Sequence, residues 1–461
     1  MLDSVLHTLT FGRFSLDQWR QVSLLHRLLS PLRQWRLGSV LLNYGDLIAA
    51  AVVAVLLVLS PYVSTALIGI LLLACSGLWL LLTVSDEAWG WLTPVHLAVT
   101  LYWGAMVLAT ALSPVKAAAV SGLIKLTLNL LLFMLLARSL RQPRLRTGVV
   151  SVYILATLPV AVYGLRQWFF GAEALATWVD PTSNLSGATR VYSYLRNPNL
   201  LAAYLMPAVA FSAGAIFVWP RWLPKLLAAV ALLANTACLV LTFSRGGWIG
   251  FLGLGFVMLV LLVYWWSELL PPLWRRLALP LLLGAIAAVV VFAVVFVAPV
   301  RERVTTIFAG RQDSSNNFRI NVWEAVVEMI QARPVTGIGP GNEAFNKIYP
   351  LFQRPRYTAL SAYSIFLETL VEGGLIGFTA FLWLLLTAFY QGWRQLRRLR
   401  AAMDVQGYWL MGAIATAAGM LVHGLVDTVW YRPQVSTLWW LAMAIIASFY
   451  PTLQQSADLE A

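Results

Sequence analysis

The sequence predicts an all-α polytopic membrane protein with about twelve transmembrane helices and a large outer loop that itself contains helix. Three observations carry this prediction. Of the 461 residues 60% are hydrophobic, only 11% are charged, and the arginines flank apolar runs instead of gathering on a polar domain. A chain of this length could hold several soluble domains, but such domains carry roughly a quarter of their residues as charges. The net charge of +13 therefore points to membrane orientation and anionic lipid, not to nucleic acid. Cys75 and Cys238 both fall inside apolar runs, which excludes a disulfide framework or a cysteine metal site.

The first element, residues 1–40, reads as an inner-side amphipathic leader. Phe14, Trp19, Val22, Leu25, Leu28, Leu29, Leu32 and Trp35 alternate there with Arg13, Arg20, Arg27, Arg33 and Arg36, the pattern of a helix lying on a membrane surface. The stretch lacks a compact apolar region followed by a small-residue cleavage site, so no cleaved signal is expected.

Residues 41–298 form the first transmembrane block, with spans predicted at Leu41–Ser60, Val63–Leu82, Trp91–Leu112, Ala117–Leu136, Val149–Phe169, Leu200–Val218, Leu226–Phe243, Trp248–Trp265 and Leu277–Ala298. An outer loop over 299–372 follows, then a block over 373–450 with spans at Leu375–Tyr390, Tyr408–Val426 and Val435–Tyr450, and a tail over 451–461. With this count the loops holding Arg138, Arg141, Arg144 and Arg146, then Arg221 and Lys225, Arg275 and Arg276, and Arg394, Arg397, Arg398 and Arg400 share one side with the leader. The positive-inside rule makes that side cytoplasmic and places both termini there. Within the outer loop, Phe318, Val322, Trp323, Val326 and Ile330 recur at helical spacing after Asn316 or Asn317 as cap. No repeat or inverted symmetry marks a two-half transporter.

Several residues on the outer side can carry chemistry. Arg245, in Phe243-Ser244-Arg245-Gly246-Gly247-Trp248, lies in a turn too short to lift its guanidinium far from the bilayer, where a charge is costly. Its donors suit a phosphate, carboxylate or bicarbonate, although an arginine reaching to lipid headgroups is the plain alternative. Arg319 and Trp323 are four apart and share a helix face. Arg196, Asn197 and Asn199 precede a span whose N-terminus they can cap or furnish with an anion site.

Gly337 to Asn342 includes Gly339 and Gly341. This run lacks the strand and lysine of a nucleotide loop and reads as a tight turn approaching a ligand or a neighbour. Glu368 and Glu372 are one helical turn apart, as are His423 and Asp427; each pair is a relay, an anion-site partner or a buried structural contact. Lys125, inside a span, is open to the same readings. The four histidines, His7, His26, His96 and His423, form no paired metal motif, and no cofactor is called for.

Taken together, Ser244 to Trp248, Arg319 with Trp323, Gly337 to Asn342, and Leu367-Glu368 through Glu372-Gly373-Gly374 resemble the O-antigen ligase and polymerase superfamily. Asp313 to Trp323 and Val191 to Leu205 further resemble the cyanobacterial IctB family, named as inorganic-carbon transporters. The superfamily likeness implies a multispan protein with a large periplasmic loop that transfers lipid-pyrophosphate-linked sugars without a metal, Arg245 and Arg319 matching the pyrophosphate-binding arginines. The IctB likeness implies a plasma-membrane protein of cyanobacterial type involved in bicarbonate accumulation, with Arg196, Arg245 and Arg319 as an oxyanion site. One departure separates the two. The histidine that sugar-transferring members place at the start of the helix ending the outer loop is matched here by Tyr363, followed by Ser364. A tyrosine is a weak base at neutral pH, so Glu368, His423 and Tyr363 all remain candidates for proton transfer. The expectations are bicarbonate accumulation first, glycosyl transfer from a polyprenyl-linked saccharide second, and a non-catalytic membrane partner third.

Overall fold

In the computed structural model, which describes residues 9–10, 38–85, 92–173 and 190–451, every predicted apolar run is helical. The first nine main helices are α1 (Gly45–Leu59), α2 (Thr65–Ser85), α3 (Pro94–Ala111), α4 (Lys116–Ser139), α5 (Pro143–Phe170), α6 (Pro198–Val218), α7 (Trp222–Leu241), α8 (Arg245–Trp266) and α9 (Pro272–Phe296). The loop region holds α10 (Ala298–Phe308), α11 (Ser314–Ala332) and α12 (Asn342–Ile348), and the chain finishes with α13 (Ile365–Ala401), α14 (Gly407–His423) and α15 (Pro433–Ser448). Among the described residues nine helices are long and apolar enough to cross a membrane. The other three predicted spans, α1, α14 and α15, are helices of 15, 17 and 16 residues. The protein is thus an all-helical, multi-pass membrane protein. The predicted surface helix of the leader and most of the tail lie outside the described residues.

Local chemistry explains the helix starts. Proline opens α3, α5, α6, α9 and α15, at the position where a missing N–H costs nothing. Thr93 caps α3 in a reciprocal box with His96, which gives that histidine a structural task. Ser244 caps α8 by accepting from the Gly247 amide at 3.1 Å, and Asn197 caps α6 by accepting from the amides of Asn199 and Leu200. The cap of α11 is Asp313, which accepts from the Asn316 amide at 2.8 Å. The expected caps, Asn316 and Asn317, sit instead inside its first turn.

α6 is the central helix, buried along most of its length, and α7, α8 and α14 surround it. At the other extreme α9 has no buried residue, and its apolar side chains stand on the outside of the bundle. α8 and α14 approach closely through glycine. A Cβ on Gly253 would stand 3.0 Å from the Val422 side chain, and one on Gly419 would stand 2.6 Å from Leu254. The arginine-bearing connections meet at one end of the bundle. There Arg398 donates to the Phe449 carbonyl, the Arg146 guanidinium lies 3.6 Å from the centre of the Phe449 ring, and Arg400 reaches Ser267 and Glu268. Bringing these loops together is what the predicted topology requires.

The loop region forms a second, smaller core at the opposite end. Val322, Ala325, Val326 and Met329 of α11 pack with Ile338, Phe345, Tyr349 and Val371. The glycine run straps this core to the bundle. The amides of Ile338 and Gly339 donate to the carbonyls of Val371 and Glu372, both at 2.9 Å, and Ser113 Oγ donates to the Ile338 carbonyl. The strap lies where α13 breaks at Gly374 (φ 60°, ψ −164°). For this reason the helix containing the span expected from Leu375 already begins at Ile365: Leu367 and Val371 of its first turns pack into the loop core, Ile365 and Phe366 rest on the bundle, and the remainder is the apolar span.

Candidate functional site

The residues with the most demanding chemistry converge at the loop end, around the turn between α7 and α8. Phe243 has left-handed backbone there (φ 49°), which turns the Thr242 and Phe243 carbonyls outward. Arg190, just ahead of α6, donates to the Thr242 carbonyl at 3.1 Å, and Arg303 of α10 donates to the Phe243 carbonyl at 2.9 Å. Arg245, the first residue of α8, donates to the Thr306 carbonyl at 3.0 Å and to Asp313 Oδ1 at 2.8 Å. The α11 cap is therefore also the counter-ion of the buried arginine, and one carboxylate fixes both the start of the loop helix and the guanidinium of the bundle.

Arg319 completes the group from α11. It donates to Ser315 Oγ at 2.8 Å and faces Asp427 Oδ2 at 3.6 Å, while its Nε is buried with no partner. Asp427 is held by the Asn199 side-chain amide at 2.7 Å and by the Thr428 amide at 2.8 Å. Asn199 in turn accepts from Arg190 at 3.4 Å. Arg190, Arg245, Arg303 and Arg319 are close enough to repel one another, with Asp313 and Asp427 as the attracting charges. Four guanidiniums against two carboxylates leave two positive charges in excess.

The electrostatics record that imbalance. Burial, followed by the repulsion of Arg245 and Arg319, drives Arg190 down to about 10 against the attraction of Asp427. Burial and the neighbouring guanidiniums drive Arg303 down to about 9. Asp313 feels burial pushing it up, but hydrogen bonds from Arg245 and the Asn316 amide, with the charges of Arg245 and Arg303, hold it below its ordinary value. A partly buried site with unneutralised positive charge favours an anionic ligand with several acceptor oxygens, since each guanidinium presents planar pairs of donors.

Of the residues singled out from the sequence, the fold brings Arg245, Arg319, Asn199 and Asp427 into this cluster. Trp323 stands one turn from Arg319 with its indole Nε1 buried and without a partner. Asn197 is spent on the α6 cap, and Arg196 is exposed, with left-handed backbone (φ 56°, ψ 16°). Gly339 and Gly341 belong to the strap: their added Cβ atoms would stand 2.5 Å from Ala119 and 2.6 Å from Gly122. Glu368 accepts from the Ala362 amide, and Glu372 accepts from the Gly341 amide at 2.7 Å, so each carboxylate tethers loop backbone. Lys125 pairs with Glu343 at 2.8 Å on the surface. Sequence reasoning passed over Arg190 and Arg303. The visible signal for Arg303 is its spacing with Thr306 and Ile307 on one helical face; Arg190 gave none.

Tyr363 lies beside Asp427 and Arg319, edge-on to Phe318 with ring centres 5.3 Å apart. Burial, then the negative charge of Asp427, pushes its hydroxyl up to about 12, so it stays protonated at any working pH. Tyr363→Phe is therefore expected to hold turnover within about tenfold and leave the rate–pH profile unmoved. A loss of about 10²-fold or more would assign the hydroxyl a proton-transfer role.

No curated relative matches the chain. A family model does: residues 227–382, from α7 to the middle of α13 and including Arg245, Arg303 and Arg319, match the O-antigen ligase family.

Proposed function

We propose that the protein is a membrane glycosyltransferase of the O-antigen ligase type, moving a saccharide from a polyprenyl diphosphate carrier onto a hydroxyl acceptor at the outer face. The observation that carries this reading is the guanidinium cluster at the loop end of the bundle, with its two excess positive charges. A diphosphate at the membrane surface supplies the complementary charge and the oxygens for paired donors, and its tail lies in the bilayer beside the apolar helices. In the transfer step the acceptor oxygen bonds to the anomeric carbon as the carbon–oxygen bond to the diphosphate breaks. Negative charge then grows on the leaving diphosphate, where fixed guanidiniums lower the barrier most. The family match over 227–382 supports the same reading. Bicarbonate accumulation rests on the sequence resemblance: the positive charge of the cluster suits any oxyanion, and the family match adds nothing to it.

The test is reconstitution of the full chain in lipid nanodiscs with a polyprenyl-diphosphate-linked oligosaccharide and glycan acceptors, read by mass spectrometry. Appearance of transferred glycan together with free polyprenyl diphosphate is the expected result. Absence of transfer across acceptors, with labelled bicarbonate accumulating in proteoliposomes, would replace this reading by the other.

A further inference from the structure

His423 closes α14 at the loop end and is completely buried, yet neither ring nitrogen has a partner. Buried polar atoms without partners are rare, and each calls for water or a ligand group. Those near His423 are not scattered. Arg319 Nε, Trp323 Nε1 and Thr428 Oγ1 are also buried and unpaired. Arg319 faces Asp427, Trp323 is one turn along the same helix, and Thr428 follows Asp427 in the chain.

The ring rests on the first turn of α8, beside Arg245. A Cβ on Gly246 would stand 2.9 Å from its Cδ2 and 3.1 Å from its Nε2, and one on Gly250 would stand 2.8 Å from its Cβ. Gly246 thus makes room for the imidazole on the helical turn that begins with Arg245, and Gly250 for the Cβ that carries it. The charged groups bearing on it are Asp427 and Arg319, and Tyr363, just ahead of α13, is coupled to Asp427 in turn.

We propose that His423, seated on Gly246 beside Arg245 and Asp427, accepts the proton of the acceptor hydroxyl. This rests on the glycosyl-transfer reading. Of the three proton-transfer candidates, Tyr363 keeps its proton and Glu368 has an oxygen engaged by the Ala362 amide, whereas both ring nitrogens of His423 are buried without a partner. The acceptor O–H proton passes to the unprotonated ring nitrogen, directly or through one water. The oxygen bonds to the anomeric carbon, and the carbon–oxygen bond to the diphosphate breaks with its electron pair staying on the diphosphate. The ring then returns the proton to that leaving group and is neutral again.

The experiment compares the wild-type chain, His423→Gln and His423→Ala in nanodiscs, with polyprenyl-diphosphate-linked oligosaccharide as donor. His423→Gln is expected to lower kcat by about 10²–10³-fold, to bind donor within about threefold of wild type, and to lose the acid limb of the rate–pH profile. Added imidazole is expected to restore part of the His423→Ala rate, which a purely structural role would not produce. A His423→Gln rate within about threefold of wild type with the same pH profile overturns the assignment and leaves the transfer reading standing. So does a His423→Ala protein that imidazole fails to rescue, including one that has lost donor binding. A wild-type chain that binds donor but transfers nothing to any acceptor sinks the transfer reading and this inference together.

Discussion

Arg245→Ala is expected to reduce glycosyl transfer by about 10³-fold, the scale set by removing a preorganised charge that stabilises a leaving anion. Arg245→Lys is expected to fall in between, because an ammonium keeps the charge but not the planar pair of donors. Stability confounds the simple experiment. The Arg245–Asp313 pair is largely buried, at 8% and 14% side-chain exposure, and deleting one partner of such a pair costs about 3–5 kcal/mol because the other charge is stranded. Asp313 also has the α11 cap to maintain. The double variant Arg245→Ala/Asp313→Asn removes both charges while leaving an asparagine as an acceptable cap. It is expected to recover most of the melting temperature and none of the activity. Recovery of transfer in the double variant would show that Arg245 serves the fold and not the reaction.

The same pair has a pH signature. Asp313 is held below its ordinary value in the folded state, so its stabilisation is present above the unfolded carboxyl pKa of about 3.9. It is lost as pH falls through the lower folded value. Arg245→Ala removes much of what lowers that carboxyl and is expected to shrink the acid-side change.

Gly374→Ala carries the second large effect, here on the fold. The backbone at Gly374 occupies φ 60°, ψ −164°, a region essentially restricted to glycine. An added Cβ would lie 2.3 Å from the backbone carbon and oxygen of Val335, atoms that cannot swing aside as the end of a side chain does. The strap is held there by the Leu375 amide on the Pro334 carbonyl at 2.8 Å and by the Ile376 amide on Val335 at 3.3 Å. We expect a loss of about 3 kcal/mol or more, seen as a large drop in the detergent melting temperature and in folded yield. A melting temperature within about 2 °C of wild type, on the scale of a fraction of a kcal/mol, would mean that the strap is not under this constraint.

Much of this architecture was legible because a bilayer imposes one strong rule, that apolar runs become helices. Each of the twelve apolar runs, α1 to α9 and α13 to α15, obeyed it, and the arginine-rich loops met at one end. The errors lie where that rule is silent. The start of α13 escapes the span rule because Ile365 to Gly373 is divided between two cores, Leu367 and Val371 facing the loop core and Ile365 and Phe366 the bundle, before the chain breaks at Gly374. Asp313 was passed over as a cap because Asn316 and Asn317 look equally suitable, and only the fold shows Arg245 waiting for the carboxylate. Within the site, Arg245 was conspicuous because a guanidinium between two spans has few places to go. Arg190 and Arg303 were not, since each stands in a polar stretch where an arginine needs no explanation. His423 and Asp427 could be paired by spacing, but Gly246 as the seat of the imidazole required two helices to be brought side by side.

That seat ties distant positions into a single unit of inheritance. The space filled by the ring of His423 is the space given up at Gly246, 177 positions earlier in the chain, while Gly250, 173 positions earlier, makes way for its Cβ and for the Gly419 carbonyl. A side chain added at Gly246 meets the ring and is relieved when the ring is lost, whereas one added at Gly250 meets the Gly419 carbonyl whatever residue stands at 423. Drift at Gly246 is therefore linked to drift at His423, and a side chain enters at Gly246 only once the imidazole has been given up.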